Sequence, residues 1–141
     1  MRSALILTVV ASWYLVGLSM TVGLVVYPSF GIVDEASWPA FHSQHVARIT
    51  WAVAAPWAAQ ALGLVLWLVR LHHGISTTWV LCAGSAAAAV VVTAGWAIRV
   101  HNQLHTDFDP RRGRVLRRAH WVRTACWLAA AIAATAALSS L

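Results

Sequence analysis

The stretch RVHNQLHTDFDPRRGRVLRRAHWVR, residues 99–123, is the longest polar interval in an otherwise apolar chain. Six of the ten Arg fall between Arg111 and Arg123, and the stretch also holds three of the seven His and two of the four acids. Long apolar runs lie on both sides of it. The stretch therefore predicts a polar connection between two membrane-spanning helices, and its charge predicts how those helices are oriented.

The composition of the whole chain indicates the same class. Of its 141 residues, 60% are hydrophobic and only 10% are charged, and the mean hydropathy is +0.70. A soluble domain carries about 25% charged residues, so this chain has too few to cover a globule in water. We expect an integral membrane protein whose main partner is the lipid bilayer. The net charge of +6 does not predict nucleic-acid binding, because membrane orientation and anionic headgroups explain Arg residues between apolar spans.

The apolar runs predict four membrane-spanning helices joined by short connections. The first run makes about 37 Å of helix, which crosses a hydrocarbon core of about 30 Å with some tilt. The predicted spans are about 3–27, 46–71, 79–100 and 117–138. We therefore predict a single domain, 1–141, with an all-α fold, an up-and-down four-helix transmembrane bundle.

Prolines mark the expected interruptions of these helices. We expect Pro28 to end the first span and Pro56 to kink the second. Ser37, followed by Pro39, predicts a helix that begins before the membrane proper. The Asp-Pro pair at 109–110 predicts a turn ahead of the fourth span.

Four spans place the first and third connections on one side of the membrane. The third connection carries most of the Arg, so we expect both connections to be cytoplasmic and both termini to lie outside. The second connection, with His72 and His73, then lies outside as well, and we expect these two His to be simple link residues.

Nine Trp are many for a chain of this length. Five lie near predicted span ends, where an aromatic belt at the membrane interface is expected. These are Trp13, Trp38, Trp79, Trp96 and Trp121. The other four are expected deeper, in core packing rather than in ligand stacking. These are Trp51, Trp57, Trp67 and Trp127.

Five of the seven His fall at span ends on the predicted cytoplasmic side. They are His42, His45, His101, His105 and His120. The first two are spaced i,i+3 and the next two i,i+4, so each pair faces one way on a helix, and all five can converge. Neutral imidazoles in such a set suit Cu, Fe, Zn or Ni, and carboxylates on the same side can complete the site or accept from its ligands. These acids are Asp34, Glu35, Asp107 and Asp109.

Three interpretations of these His stay open. They can bind a metal, they can serve as acid and base for an organic substrate, or they can be interfacial side chains bonded to one another. Three Arg just inside the spans bear on the choice: Arg48, Arg99 and Arg123. Facing inward they would form a pocket for an anionic or phenolate-like ligand, and facing outward they would reach the headgroups.

Several short motifs resemble the small four-span anthrone-oxygenase-like membrane proteins. They are Phe41-His42-Ser43-Gln44-His45, His101-Asn102-Gln103-Leu104 and His120-Trp121-Val122-Arg123-Thr124, with Pro56 in the second span and Trp127 in the fourth. The resemblance covers about 27–127. Most bacterial members of that family have no assigned function, while characterised fungal relatives oxidise an anthrone to an anthraquinone in polyketide pigment and toxin biosynthesis.

The resemblance implies functional roles for His42, His45, Asn102, Trp121 and Arg123. The chain also departs from the family. It has His101 where the family often has Pro, and His120 where the family often has Asn. Both departures add an imidazole, which fits either a metal site that relatives lack or a divergent member with another substrate.

The resulting hypothesis is a membrane oxidoreductase or oxygenase, in a bacterial inner membrane, that acts on a lipophilic phenolic or polycyclic substrate. The expected catalytic residues are His42, His45, Asn102, His120 and Arg123. The expected metal ligands are His42, His45, His101, His105 and His120, for Cu or Fe, and a reaction with no cofactor is the other option. The alternative is a non-enzymatic subunit or small carrier in a larger complex, and the small residues at 83–89 also favour a homo-oligomer.

Overall fold

The computed structural model describes residues 1–71 and 74–141, so the expectation for His72 and His73 lies outside the described residues. The described residues contain four helices that are each long and apolar enough to cross a membrane. They are α1 (Arg2–Ile32), α2 (Glu35–Leu68), α3 (Thr77–Gln103) and α4 (Pro110–Ser139). These helices mark the chain as an integral membrane protein and confirm the all-α bundle.

The helices pack unevenly. α1 packs against α2 and α4, and α4 packs against α3, whereas α2 and α3 touch each other far less. The bundle therefore has an open seam between α2 and α3. Within the most apolar part of α2 only 11% of the residues are buried, against 39% in α1 and in α4. α2 consequently offers the most surface to lipid, ligand or partner.

The prediction that Pro28 ends the first helix is wrong. α1 widens to a π-helical turn at Val22–Val26 and then continues to Ile32. Proline has no N–H and crowds the carbonyl four residues earlier, which breaks a regular helix. Here the Tyr27 N–H already bonds the Val22 carbonyl, so Pro28 falls where the regular hydrogen-bond pattern is interrupted anyway.

α2 begins close to where the sequence predicts. Its α-helical part starts at Trp38, directly after Ser37, although the capping side chain is Asp34, which accepts the Ala36 N–H at 3.1 Å. The helix is unbroken across Pro56, and a kink there stays a prediction.

α4 begins well before the predicted fourth span. Asp109 Oδ1 accepts the Arg111 N–H at 2.7 Å, and Pro110 occupies the first turn. An acidic cap followed by proline is a strong helix start, so the Asp-Pro pair opens α4 rather than forming a separate turn. The Arg-rich segment from Arg111 onward is consequently helical.

The core lies in three clusters along the bundle. One, near the chain termini, is built around Leu5 and Trp67. A central one contains Leu15 and Trp127. The third contains Tyr27 and lies at the end where the His residues cluster.

Two Trp differ from the sequence-based expectation. Trp38, expected in an interfacial belt, is completely buried, whereas Trp51, expected in the core, is 80% exposed. Trp38 is buried because its ring fills the space between the first turn of α2 and the end of α3, where its Nε1–H donates to the Leu104 carbonyl at 2.7 Å. Trp51 lies on the uncovered side of α2.

Candidate functional site

Tyr27 lies at the centre of the His cluster. Its ring is 4% exposed, and its centroid lies 4.9 Å from that of His120, 6.2 Å from His101 and 6.3 Å from His45. Its hydroxyl lies 3.3 Å from His101 Nε2. The π-helical turn of α1 directly precedes this residue. Three of the five predicted His therefore meet around a tyrosine that the sequence analysis did not single out.

His42 joins the cluster through His101. His42 Nε2 lies 3.2 Å from His101 Nδ1, and the His42 ring stacks on Trp38 at 5.1 Å. His105 is exposed, with its ring 6.4 Å from that of His42. The structure thus brings the predicted His together in a line that runs from the surface at His105 inward to Tyr27.

This line of side chains can carry a proton. In the pair His42–His101 one ring nitrogen donates and the other accepts, and His101 meets Tyr27 through its remaining nitrogen. Both hydrogen bonds of this line can be donated toward Tyr27, or both can be donated away from it. A switch from one arrangement to the other reverses the tautomers of His42 and His101 and moves one proton along the line. The hydrogen bonds connect the buried tyrosine to His42, and the ring of the exposed His105 lies 6.4 Å beyond it, between centroids.

His120 has a different role, because both of its ring nitrogens are used. Nε2 lies 2.9 Å from the Ser19 carbonyl oxygen, and Nδ1 lies 3.0 Å from Arg123 Nη2. A carbonyl only accepts and a guanidinium only donates, so Nε2 carries the hydrogen and Nδ1 accepts. Neither nitrogen is free for a metal or for proton transfer. We assign His120 to positioning Arg123 rather than to its predicted catalytic and metal-binding roles.

The three candidate Arg lie in different environments. Arg123 is half-buried, lies beside the Tyr27 hydroxyl and packs 4.9 Å over the Trp127 ring. Arg48 is exposed along a groove between α1 and α2. Arg99 is exposed and does not join the cluster. The predicted cationic pocket therefore contains one inward Arg, with a second at its lipid-facing edge.

His45 lies between the buried cluster and that groove. The groove measures about 470 Å³ and is lined mainly by apolar side chains, with His45 and Arg48 among the few polar ones. His45 Nε2 is buried and has no hydrogen-bond partner within the described part of the chain. Of the predicted catalytic His, all within the described ranges, His45 is therefore the one with a buried, unpartnered nitrogen.

Asn102, which the family resemblance implicates, lies in a second and smaller cleft. This cleft of about 180 Å³ lies between α2 and α3 and is also lined by His42, His101 and His105. Asn102 is exposed at its edge. It therefore borders the aqueous end of the His line, while Tyr27 and His45 lie further inside.

None of the four acids contacts the His cluster through a hydrogen bond or ion pair in the described residues, and three of them have other partners. Asp34 and Asp109 cap helices, Asp109 also pairs with Arg112 at 3.6 Å, and Asp107 accepts from Thr106. Glu35 is exposed. In residues 1–71 and 74–141, no group of three His, Cys, Asp or Glu is arranged to hold a metal ion. Binding of Cu or Fe therefore stays a prediction, and no chemical step below is derived through a metal.

Comparisons with protein-family models, with curated proteins and with solved structures each find no match to this chain. The resemblance to anthrone-oxygenase-like proteins therefore remains an expectation from short motifs.

Two site residues were missed by the sequence reasoning, and each had a weak signal. Tyr27 directly precedes Pro28, a position that looked like the end of a span. Trp38 lies one helical turn before His42, so it shares a helix face with that residue. Both residues are buried beside the His cluster.

Proposed function

We propose that this chain is a membrane oxidoreductase that oxygenates a lipophilic phenolic or polycyclic substrate, with His45 as the base. The observation that carries the proposal is the position of His45. It has a buried, unpartnered Nε2 next to a groove that opens between α1 and α2. A substrate dissolved in the bilayer can reach such a groove without passing through water.

The groove suits a fused-ring phenol in size and chemistry. Its volume of about 470 Å³ lies within the range that small-molecule sites occupy. Its walls include Leu18, Val22 and Ile49, which favour an apolar ring system. Arg48 follows His45 by about one helical turn along the same groove and would stabilise the oxygen as it ionises.

The proposed reaction converts an activated methylene of the substrate to a carbonyl, with O2 as the oxidant. His45 takes a proton from the phenol or its keto tautomer, which leaves an electron-rich carbanion. A C–O bond forms to one atom of O2. The O–O bond then breaks as the second C–H proton is lost, giving C=O, and the other oxygen atom leaves as water. The proton held by His45 and the second C–H proton complete the water. The substrate carbon loses four electrons in all, two as the C–O bond forms and two as the O–O bond breaks, and O2 accepts all four.

The remaining side chains of the cluster have supporting roles. Tyr27 and His101 pack against the His45 ring and keep the base oriented, and the hydrogen-bonded line Tyr27–His101–His42 relays protons between this buried end and the surface side of the cluster. Asn102 lies where that line reaches the surface. A Cu or Fe ion at His42, His45 and His101 would require these rings to rearrange, because within residues 1–71 and 74–141 no three such side chains are arranged to hold one.

The test is turnover of an anthrone-type substrate by protein reconstituted in lipid nanodiscs. His45→Gln, which keeps a polar side chain but removes the base, is expected to lower the rate by about 100-fold or more, the contribution typical of a general base. Thr50→Ala is the matched control, because Thr50 is exposed on the same helix and its hydroxyl bonds only the Val46 carbonyl.

Equal rates for wild type, His45→Gln and Thr50→Ala would reject His45 as the base. Elemental analysis of the same preparations tests the metal. Near-stoichiometric Cu or Fe in the wild type that is lost in a His45→Ala/His101→Ala double variant would mean that a metal activates O2. If neither protein contains metal, O2 reacts directly with the carbanion.

A non-enzymatic subunit or carrier is the second candidate, and the poor burial of α2 favours it. Only 11% of its most apolar segment is covered within this chain, which leaves a large face for a second copy or another protein. Light scattering of the purified protein distinguishes the cases. A stable oligomer that depends on α2 and shows no turnover would support the subunit.

We also propose that the connections before α2 and before α4 face the cytoplasm of a bacterial inner membrane, with both termini outside. The Arg-rich start of α4 supports this orientation through the positive-inside rule. Labelling of an Asp107→Cys variant by an impermeant reagent in intact cells is expected to fail and to succeed after lysis. Labelling in intact cells would reverse the topology.

A further inference from the structure

Three buried N–H donors at the centre of the bundle have no acceptor. They are Arg123 Nε, Trp127 Nε1 and Trp57 Nε1, and none has a hydrogen-bond partner in the described ranges. An unsatisfied buried donor costs about 1–3 kcal/mol, and more when it is charged. Native structures contain few such unsatisfied groups, and each of them needs a specific explanation, such as a bound water or ligand.

The three donors belong to one contiguous stack. The guanidinium carbon of Arg123 lies 4.9 Å from the centroid of the Trp127 ring, and the Trp127 ring lies 6.2 Å from that of Trp57. Trp127 is only 1% exposed. The stack joins α4 to α2, deeper in the bundle than the Tyr27 cluster. It is separate from the groove at His45.

The charge of Arg123 has no compensating carboxylate. The sequence contains four acids, all at positions 34–35 and 107–109, outside the apolar part of every helix. The side-chain partners of Arg123 are the Tyr27 hydroxyl and His120, which is neutral because its Nδ1 accepts from the guanidinium. A cation inside a membrane bundle normally pairs with an anion or faces a wet cavity.

A cavity in the seam between α2 and α3 meets this stack at its α2 end, Trp57. It measures about 600 Å³, and Trp57 lies on its wall. The rest of the wall is mostly Ala and Val, together with the 3% exposed side chain of Gln60. The seam is open because α2 and α3 barely touch. An apolar cavity with a buried, unpartnered indole N–H in its wall suits an amphiphile with an acceptor at one end.

We propose that this stack binds the oxyanion of a lipophilic molecule whose apolar part occupies the seam between α2 and α3. The free edge of Arg123 supplies the charge, and the indole N–H groups of Trp127 and Trp57 supply further donors, all matched to oxygen acceptors. The oxyanion is either a long-chain carboxylate or an ionised phenol. The site uses another cavity than the proposed oxygenation and needs no reaction, although its Arg123 also lies beside the Tyr27 hydroxyl.

Equilibrium binding to protein in nanodiscs tests the site. The probes are radiolabelled dodecanoate, its methyl ester, and a halogenated phenol that is ionised at neutral pH, each measured against empty nanodiscs. Both anions carry the proposed oxyanion, and the one that binds with the higher affinity shows whether the ligand is a carboxylate or a phenolate. The ester keeps the chain but lacks the charge, and we expect it to bind about tenfold more weakly or worse, a difference of about 1.4 kcal/mol.

Three variants remove the donors one at a time. Arg123→Gln removes the charge and is expected to weaken anion binding by about tenfold or more. Trp127→Phe and Trp57→Phe keep an aromatic ring and remove only the N–H, so they stay informative if Arg123→Gln folds poorly. Trp51→Phe is the matched control, because Trp51 is 80% exposed on α2, and it should bind like wild type.

A second readout locates the ligand. A brominated dodecanoate quenches nearby Trp fluorescence, and the quenching should fall in Trp57→Phe and Trp127→Phe but not in Trp51→Phe.

The site is overturned by any of three results: no anion binding above empty nanodiscs, equal affinity for acid and ester, or unchanged affinity in the Trp57 and Trp127 variants. A lack of anion binding would mean that water is the only hydrogen-bond partner of these donors. Loss of turnover in His45→Gln with intact anion binding would separate this site from the proposed reaction.

Discussion

Gly23 lies where α1 comes closest to the buried His120. A Cβ added at this position would lie 2.8 Å from His120 Nε2 and 2.9 Å from Trp121 Cζ2. Both distances are shorter than real Cβ contacts, and His120 cannot move away freely, because its two ring nitrogens are bonded to Ser19 and Arg123. Replacing Gly23 by alanine should therefore strain the packing between α1 and α4.

The magnitude follows from a comparison with Gly17. A Cβ on Gly17, in the same helix, would meet nothing within 4 Å. In a helix, exchanging glycine for alanine stabilises by about 1 kcal/mol at either position. Overpacking costs about 1–3 kcal/mol and applies only at Gly23. The difference in unfolding free energy between Gly17→Ala and Gly23→Ala isolates the contact, and we expect about 1–3 kcal/mol.

Unfolding by SDS in mixed micelles, followed by circular dichroism, measures this difference. Gly23→Ala is expected to unfold at a lower SDS fraction than wild type, and Gly17→Ala at an equal or higher one. Equal stability of the two variants would refute the close approach of α1 to His120.

Three further changes probe the contacts that hold the site. Trp38→Phe removes the donor to the Leu104 carbonyl and should destabilise by about 1 kcal/mol in the same SDS assay; no effect would argue against the tie between α2 and the end of α3. In a double-mutant cycle, Ser12→Ala and Gln60→Leu should show a coupling of about 0.6 kcal/mol for their 2.9 Å bond, and additive effects would exclude it. Asp109→Ala should cost about 1 kcal/mol by removing the cap of α4, and the unfolding midpoint should stay constant if the helix starts elsewhere.

The number and type of the helices could be predicted from the sequence, whereas their ends could not. Apolar runs of this length have few options in a bilayer, because every backbone N–H and C=O must be satisfied within the span. The ends are decided by local chemistry that hydropathy does not report. Asp109 and Pro110 start α4 within a stretch of Arg, and the wide turn before Pro28 lets α1 continue.

The sequence could predict that the histidines belong to the site, but it could not predict most of the other site residues. Regular i,i+3 spacing placed His42 and His45 on one face correctly, since α2 is a regular helix there. Tyr27 and His101 each follow a π-helical turn, at Val22–Val26 and Thr93–Ala97. Each such turn inserts a residue and rotates everything after it by about 100° relative to a regular helix, so a period of 3.6 cannot assign their faces.

The sequence positions of the three Arg also could not predict which one points into the bundle. Arg48, Arg99 and Arg123 all lie near span ends, at similar distances from the apolar centre. Only Arg123 finds an acceptor and an aromatic face inside the bundle, in His120 and Trp127. These partners come from tertiary packing, which a single sequence does not reveal.

The most direct test of the central proposal is oxygen uptake by the wild-type protein in nanodiscs supplied with an anthrone-type substrate. The proposed reaction predicts that one O2 disappears for each substrate molecule oxidised, with the carbonyl product appearing at the same rate and none in empty nanodiscs. Substrate that binds but is never oxidised, with oxygen uptake no faster than in empty nanodiscs, would contradict it and leave a binding protein or a membrane subunit.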